Sequence, residues 1–343
     1  MKGIFSMKLT LEQIKEVATG AVRFVEDEEG IKLFRFTEEQ EKMYKEVNED
    51  FWHRSLATSG IKFAFKTNSE NLFIKTKIIP RYSRRYFSFD VFVNGEPIGY
   101  LDNFADAENI EEYIKIKLLK EEFEKDFELG DGDKTVCVIL PWALQAVIEE
   151  ISLDDGSYIE PVKRKKTLLA YGDSITQGYD AFRSANRYIA RLAEVLEADE
   201  INKGIGGECF CPWLAEMEKD LNPDYVTVAY GTNDWSKKGK EIFDVNSRAF
   251  YETVSKKYPS AKIFAITPIW RADLGEYREF GKFEDVEKGI KEAVEGLENV
   301  TVISGYDFVP HDLSYFADAR LHPNDKGFDC YSNCLIEEVK KYI

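Results

Sequence analysis

The sequence has no excess of positive charge and no long apolar run, and each absence excludes a class of partner. It carries 46 Lys and Arg against 63 Asp and Glu, for a net charge of −17 over 343 residues. Because phosphate backbones and anionic lipid surfaces would repel such a chain, we expect no nucleic-acid partner and no membrane association. No apolar run reaches the roughly 20 residues of a membrane-spanning helix.

Cysteine is also scarce, and its pattern excludes a disulfide framework. The cysteines are Cys137, Cys209, Cys211, Cys330 and Cys334. Five cannot all pair within the chain, and no spacing matches a zinc ribbon, so we expect free thiols. The first residues lead directly into a charged stretch without the pattern of an export signal. Free thiols without that pattern predict a cytoplasmic protein.

The first half of the chain alternates apolar and polar residues with a period of two, which predicts strands. Such strands are expected at 61–65, 72–78, 87–93, Tyr113–Leu118, Thr135–Leu140 and Val147–Leu153. Asn94-Gly95 is typical of a hairpin turn, because both residues tolerate positive φ. In the charged first forty residues the pattern is ambiguous, and one helix near Thr10–Val17 and an early strand are expected. Strands without long helices between them favour an antiparallel, jelly-roll-like β-sandwich.

A basic segment, Lys163–Lys166, ends this pattern, and we predict a β domain over 1–162 and a second domain over 163–343. In the second domain, apolar strands alternate with amphipathic helices. Strands are predicted at Thr167–Tyr171, Tyr225–Tyr230, Lys262–Thr267 and Val300–Ser304, and helices at 188–196, Ile242–Lys257, Phe283–Leu297 and Gly327–Tyr342. This alternation predicts an α/β fold with a parallel sheet covered on both faces.

Ligands of such folds bind beyond the carboxyl ends of the strands, and Ser174 directly follows the first of these strands. It stands in Gly172-Asp173-Ser174-Ile175-Thr176-Gln177-Gly178. A serine hydroxyl becomes a nucleophile when a base removes its proton. Taken alone, Ser174 is equally compatible with a helix N-cap.

Three further segments occupy comparable places. Glycines up to Gly207 leave backbone N–H groups open to a ligand, and the amide of Asn233 can donate to a developing oxyanion. His322, one of three histidines, is a candidate general base. Each is also compatible with an ordinary loop, turn or surface histidine. Their combination is more specific than any one of them.

In this order, the four segments resemble the SGNH or GDSL-type hydrolase superfamily, over roughly residues 167–343. The resemblance implies a three-layer α/β/α domain that needs no cofactor and no metal. It implies that Ser174 attacks an ester carbonyl and that His322 takes and returns the proton. It also implies an oxyanion hole formed by the backbone N–H groups of Ser174 and Gly207 and by the side chain of Asn233.

The orienting acid departs from the family's pattern. Many members place an Asp three residues before the histidine, where this chain has Ala319. Asp318, four residues before, is our prediction for the third member of the triad. A Ser-His dyad oriented by a backbone carbonyl is the alternative, and Asp307 and Asp312 are more remote candidates.

A β-sandwich ahead of an SGNH domain resembles carbohydrate esterase family 2, the acetyl-xylan esterase type. This implies a short-chain ester substrate, acetyl foremost, on a small molecule or an oligosaccharide, with the β domain binding or shaping the substrate. Asp173, Trp235, Trp270 and Arg271 are candidate substrate-binding residues, although each tryptophan could equally pack under a loop.

Two other functions remain open from the sequence. The chain could be a carbohydrate-binding protein without catalysis, or an acyltransferase or thioesterase with the same catalytic set. The sequence does not decide the oligomeric state.

Overall fold

The fold was analysed in a computed structural model, which describes residues 5–104, 110–219 and 221–343. The chain divides into two compact units. The first, here called the β unit, comprises the residues up to Thr37, Trp52–Arg164 and Phe182–Ala185. The second, here called the α/β unit, comprises Glu38–Phe51, Lys165–Ala181 and Asn186–Ile343.

The β unit is built from antiparallel strands in two sheets. Its strands are β1 (Phe5–Lys8), β2 (Ala18–Thr19), β3 (Arg23–Asp27), β4 (Gly30–Phe34), β5 (Lys62–Thr67), β6 (Asn71–Ile79), β7 (Ser88–Val93), β8 (Glu96–Asp102), β9 (Glu122–Glu128), β10 (Lys134–Ile139), β11 (Gln145–Asp154) and β12 (Glu160–Pro161). One sheet has the order β3-β4-β11-β6-β9, with β1 on β11. The other has the order β12-β5-β10-β7-β8, with β2 on β5. The predicted antiparallel architecture is confirmed.

Alternating burial places the core of the β unit between apolar sheet faces. In β6, every second residue from Leu72 to Ile78 is buried and its neighbours are partly exposed. Phe87, beside β7, lies with its ring centroid 4.6 Å from that of Phe123 in β9. Because β7 and β9 belong to different sheets, this contact joins the two layers of the sandwich.

The strand predicted at Tyr113–Leu118 is wrong. A 3₁₀ helix occupies Ile110–Lys115, and the next strand is β9. The alternation in Tyr113–Leu118 imitates a strand, but Tyr113 is buried against the ring of Tyr86, 5.2 Å away. Strand β9 escaped prediction because its buried residues, Phe123 and Phe127, are four apart among charged neighbours.

The α/β unit contains a parallel sheet in the order β14-β13-β15-β16-β17. Its strands are β13 (Lys166–Gly172), β14 (Ala198–Asn202), β15 (Tyr225–Ala229), β16 (Lys262–Ile266) and β17 (Val300–Ile303). The order changes direction around β13, so the loops after β13, β14 and β15 meet at one edge. The predicted parallel α/β fold is confirmed.

The helices follow the predicted amphipathic segments and add some that the sequence did not indicate. They are α1 (Leu11–Val17), α2 (Glu38–Val47), α3 (Glu49–Ser55), α4 (Ser174–Gln177), α5 (Tyr188–Val195), α6 (Pro212–Met217), α7 (Thr232–Lys237), α8 (Lys240–Lys257), α9 (Glu284–Ala293) and α10 (Asp325–Val339). Among the helices in the described ranges, none combines the length and apolarity needed to cross a bilayer.

The predicted domains 1–162 and 163–343 assumed a single boundary. In the structure, each unit instead contains several separate segments of the chain. Helix α2 belongs to the α/β unit because its polar side chains bond there. Tyr44 donates to Glu208 at 2.8 Å, and Gln40 donates to Glu218 at 3.1 Å. Conversely, Phe182–Ala185 belongs to the β unit, where Phe182 stacks on Phe104 at 4.2 Å.

Candidate active site

Ser174 is the first residue of α4, directly beyond the carboxyl end of β13. The helix cap is Asp173, whose carboxylate accepts the backbone N–H of Ile175 at 3.0 Å. The turn is tight, because a Cβ added to Gly172 would lie 2.1 Å from Thr176 Oγ1. Capping by Asp173 leaves the Ser174 side chain available for another partner. Its Oγ lies 2.9 Å from His322 Nε2.

His322 is held by Asp318 on its other ring nitrogen. Asp318 Oδ2 lies 2.8 Å from His322 Nδ1. The second carboxylate oxygen accepts the backbone N–H groups of Arg320, Leu321 and His322 at 2.8–3.0 Å. A proton on Nδ1 satisfies this network and leaves Nε2 as the acceptor for the serine hydroxyl.

Burial opposes ionisation of Asp318, but the hydrogen bond and charge of His322, together with the backbone N–H groups, outweigh it. The pKa of Asp318 is therefore lowered below its ordinary value. An ionised carboxylate at Nδ1 favours the imidazolium that forms when Nε2 takes a proton. Ser174, His322 and Asp318 thus have the geometry of a nucleophile, base and orienting acid.

The unusual spacing is accommodated at Ala319. Its φ of +52° places it in the left-handed region, which residues other than Gly, Asn and Asp rarely adopt. This backbone conformation accommodates the one additional residue that separates Asp318 from His322 relative to the family's pattern. An antiparallel bridge between Phe316 and Pro323 closes the base of the loop. The structure therefore brings Asp318, and not a backbone carbonyl, to His322 Nδ1.

The more remote candidates lie elsewhere. Asp307 is 3.1 Å from Nε2 of His311. Asp312 accepts the backbone N–H of Ser314 at 2.9 Å and caps a short 3₁₀ helix. Neither carboxylate is therefore the partner of His322.

Two other carboxylates lie close to the histidine, and neither was predicted there from the sequence. Asp180 Oδ2 is 3.8 Å from His322 Nδ1, and its side chain is fully buried. Asp173 is buried, which raises its pKa to about 6 against the opposing effects of the Ile175 N–H and the His322 charge. Asp180 could have been noticed from the sequence as a second acid six residues after Ser174.

Gly207 and Asn233 lie in the loops after β14 and β15. Gly207 has a φ of +86°, which requires glycine, and Asn233 Nδ2 donates one hydrogen to the carbonyl of Glu208 at 3.1 Å. Its second amide hydrogen is available for a ligand. Among the described residues, no group accepts the backbone N–H of Ser174 or of Gly207.

Hydrogen bonds tie these loops to the serine turn and to each other. The Gly206 N–H donates to Gln177 Oε1 at 2.8 Å, which links the glycine loop to α4. Lys237 Nζ donates to the Gly207 carbonyl at 2.6 Å, which links that loop to α7. Lys237 was not identified from the sequence, although it lies one helical turn after Asn233. The loops that carry the candidate oxyanion donors are therefore joined to each other by hydrogen bonds.

The candidate substrate residues differ in exposure. Trp235 is only 1% exposed, and its ring nitrogen donates to the Gly281 carbonyl at 3.0 Å. Arg271 is buried in an ion pair with Asp273 at 2.5 Å. Both are packing residues in this structure, and Asp173 caps α4. Trp270 is half-buried, with its ring stacked on His311 at 5.2 Å.

In the described ranges, Asp180, Asp318 and His322 form a group whose donor atoms lie within 4.8 Å of one another. Such a group has the composition of a metal site. Here the proton between His322 Nδ1 and Asp318 accounts for the close approach, because a ring nitrogen that donates a hydrogen bond is not free to ligate. We therefore treat Asp318 and His322 as a hydrogen-bonded acid–base pair, with Asp180 3.8 Å from the same ring nitrogen.

Residues 170–330 match the family model of the GDSL-like lipase/acylhydrolase family. The C-terminal part of this chain is therefore similar to a GDSL-like lipase/acylhydrolase domain. The matched range contains Ser174, Gly207, Asn233, Asp318 and His322, and it classes the chain with ester-bond hydrolases. A search of curated protein sequences finds no significant match.

Solved structures resemble the whole chain and not the GDSL-like domain alone. A salicylyl-acyltransferase from a tetracycline biosynthetic pathway has a TM-score of 0.80 at 20% identity, over 94% of each chain. A GDSL-like lipase from Bacteroides ovatus has a TM-score of 0.74 at 20% identity, over 96% of each chain. A family two carbohydrate esterase from Clostridium thermocellum, solved with cellohexaose, has a TM-score of 0.64 at 16% identity. It is covered over 98% of its length and covers 94% of this chain. These likenesses confirm the expected fold.

Proposed function

We propose that the chain is a serine esterase that hydrolyses short-chain esters, acetyl esters on carbohydrate foremost, through Ser174, His322 and Asp318. One observation carries the proposal. The continuous chain of contacts runs from Ser174 Oγ to His322 Nε2 at 2.9 Å and from His322 Nδ1 to Asp318 at 2.8 Å. Nucleophile, base and orienting acid are thus within hydrogen-bond reach in the order that acyl transfer requires.

The reaction follows from this order. Ser174 Oγ attacks the ester carbonyl while His322 Nε2 takes its proton, and the carbonyl electron pair moves to the oxygen. Collapse of the tetrahedral intermediate breaks the bond to the alcohol, which receives the proton from His322 Nε2. Water, deprotonated by the same nitrogen, then attacks the acyl-enzyme. Collapse of the second tetrahedral intermediate releases the acid, and Ser174 Oγ takes the proton back from His322 Nε2. Asp318 holds the ring and stabilises its protonated form throughout.

The proposed oxyanion hole consists of the backbone N–H groups of Ser174 and Gly207 and the side chain of Asn233. The support is that the first two have no acceptor among the described residues and that Asn233 is held through Glu208 with one amide hydrogen left over. Donors fixed before the reaction stabilise the developing charge without reorganisation. The hydrogen bond of Lys237 to the Gly207 carbonyl fixes the same peptide segment.

The substrate class is supported by the neighbours. Structures of family two carbohydrate esterases span nearly the whole chain, including the β unit, and one was solved with cellohexaose. We propose that this chain likewise acts on a small-molecule or oligosaccharide ester and that the β unit binds or shapes the sugar. Trp270, the most accessible of the predicted substrate residues with an aromatic ring, could stack on a sugar face. The five cysteines, all in the described ranges, form no disulfide, which supports the proposed cytoplasmic location.

Replacing Ser174 with Ala tests the nucleophile. We expect kcat on p-nitrophenyl acetate to fall about 10⁴-fold or more, because no other group replaces the hydroxyl. Ser255→Ala is the matched control, since that serine lies on α8 and bonds to Asn299. Full activity in the Ser174 variant would refute the assignment. Unchanged melting temperatures would show that neither substitution acts through unfolding.

A series of acyl chain lengths on one sugar tests the substrate class. We expect kcat/KM to be highest for acetyl and to fall with each added methylene. A long-chain optimum would contradict a sugar deacetylase.

An acyltransferase is the second candidate, favoured by the structural similarity to a salicylyl-acyltransferase over 94% of each chain. Hydrolysis and transfer share the acyl-enzyme and differ in whether water or another hydroxyl attacks it. Product analysis with and without an added sugar acceptor separates the two. Acylated acceptor in place of free acid would favour the transferase.

A further inference from the structure

Two carboxylates, one buried and one half-buried, face the ring nitrogen of His322 that points away from Ser174. Asp318 Oδ2 is hydrogen-bonded to Nδ1 at 2.8 Å, and Asp180 Oδ2 lies 3.8 Å from the same atom. The Asp180 side chain is fully buried and that of His322 is 13% exposed. A carboxylate at this distance is beyond a hydrogen bond but well within the range at which an opposite charge favours the protonated imidazole.

The position of Asp180 is fixed by the backbone of the serine turn. Gly178 ends α4 in the left-handed region, and the Ala181 N–H closes the following turn on the Gly178 carbonyl at 3.0 Å. Asp180 itself has a φ of +69°. Asp and Asn enter this region more readily than other residues with side chains, so the turn both admits an acid here and holds it in place.

Carboxylates approach the His322 ring from two segments of the chain. The charged groups are Asp318 from its own loop and Asp180 and Asp173 from the serine turn. The ring of Tyr179 packs against the imidazole with centroids 5.4 Å apart. An imidazolium formed during the reaction is therefore met by negative charge from two sides, and low exposure limits screening by water.

We propose that Asp180 is a second positioning acid for His322, which stabilises its protonated form together with Asp318 and partly replaces Asp318 when that residue is lost. This inference rests on the proposed esterase function. It assigns a role to the 3.8 Å contact, because a short shift of the ring or of the Asp180 side chain converts it into a hydrogen bond. Asp180 acts through His322 and touches no substrate atom.

A double-mutant cycle tests the proposal, with Asp180→Asn, Asp318→Asn and both together. Asn keeps the shape, tolerates the positive φ at 180 and keeps an oxygen for the backbone N–H groups around 318. We expect kcat to fall about 10-fold in Asp180→Asn, about 10²-fold in Asp318→Asn and about 10⁴-fold in the double variant. The last is the loss typical of a triad without its acid. The combined loss then exceeds the product of the single losses, as expected for two groups serving one histidine.

The pH profile provides a readout that a merely structural role would not move. Removing a negative charge beside the imidazole should shift the acid limb of kcat/KM to lower pH by about one unit in Asp180→Asn. Asp329→Asn, a surface change on α10, is the control and should leave rate and profile unchanged. A profile of Asp180→Asn that matches the wild type, or a double variant no slower than Asp318→Asn, would overturn the proposal.

Failure of this inference can be told apart from failure of the esterase assignment. Activity that survives Ser174→Ala refutes the esterase. The pH dependence of the histidine ring NMR signals reports the effect of Asp180→Asn without a substrate. In the variant, only the transition of the His322 signals should move to lower pH, and the signals of His53 and His311 serve as internal references. If Asp180→Asn does not fold, Asp180→Gly replaces it, because glycine also accepts the backbone conformation.

Discussion

The chain contains two Asp-x-x-x-His segments, Asp307–His311 and Asp318–His322, which have the same spacing and different structures. In the first, the carboxylate meets Nε2 at 3.1 Å, and the side chains are 85% and 39% exposed. In the second, the carboxylate meets Nδ1 at 2.8 Å, and the side chains are 16% and 13% exposed. Only the second leaves Nε2 for Ser174.

The difference shows that spacing alone does not make an acid–base pair. The 318–322 loop places a residue in the left-handed region and gives three backbone N–H groups to one carboxylate oxygen. Within 307–311, all of it in the described part of the chain, no residue has positive φ. His311 instead stacks on Trp270. A histidine can therefore act as a base toward Ser174 only if the carboxylate contacts the other ring nitrogen, and low solvent exposure of the pair limits screening of its charge.

The strongest test of this comparison removes each histidine in turn. We expect His322→Ala to reduce kcat about 10⁴-fold, because Ser174 loses its base. His311→Ala should change kcat less than about threefold and could raise KM through the loss of support for Trp270. Initial rates on p-nitrophenyl acetate and on an acetylated sugar measure both. Equal losses in the two variants would contradict the assignment of the base.

Acid stability should also separate the two aspartates. The lowered pKa of Asp318 means that its ionised form stabilises the fold above the unfolded-state value near 3.8, and that this contribution is lost as the pH falls below about 4. Asp318→Asn should therefore lower the free energy of unfolding by about 2 kcal/mol at pH 7, with a difference that shrinks toward pH 2.

Asp307→Asn is the exposed counterpart and should leave the free energy of unfolding nearly constant across this range. Urea unfolding at several pH values measures both variants. A pH-independent loss in Asp318→Asn would show that the carboxylate acts through packing and not through charge.

The smallest effect is expected at Ala319. Valine is disfavoured at a φ of +52°, so Ala319→Val should destabilise the loop by about 1 kcal/mol and slow catalysis several-fold. Ala319→Gly removes the strain and should retain activity with equal or higher stability. Melting temperatures and kcat of the pair check this. A valine variant as active as the glycine variant would show that the backbone of this residue does not position Asp318.

Much of the fold follows from the sequence because its main signal is periodicity. The strands β13, β15, β16 and β17 and the helices α5, α8, α9 and α10 have apolar faces, and their predicted positions match the structure within a few residues. Helix α2 was not found, although it is amphipathic, because its buried face includes Gln40 and Tyr44, whose partners lie more than 160 residues away. Long-range polar pairing leaves no local pattern.

The site shows the same limit. Ser174, Gly207, Asn233 and His322 were named from short motifs, and the structure places each at the carboxyl edge of the parallel sheet. Asp318 could be named only as one of several candidates, because its fit depends on the conformation of Ala319. The burial of Trp235, and the approach of Asp180 to His322 across more than 140 residues, depend on tertiary packing that motif reading does not capture.

The membership of α2 in the α/β unit bears on how the chain can be divided. A chain shortened to begin at Lys165 would keep every residue of the proposed reaction and still lack Gln40 and Tyr44. Glu208 would then lose the hydrogen bond that the Tyr44 hydroxyl donates to it. The buried ion pair of Lys203 and Glu218 would lose the Gln40 amide, which accepts from Lys203 and donates to Glu218. Such a fragment would expose groups whose desolvation was compensated within the intact protein. We therefore expect the segment from Lys165 onward to be less stable alone than in the intact chain. Fusion partners are better joined at the termini than at residue 164.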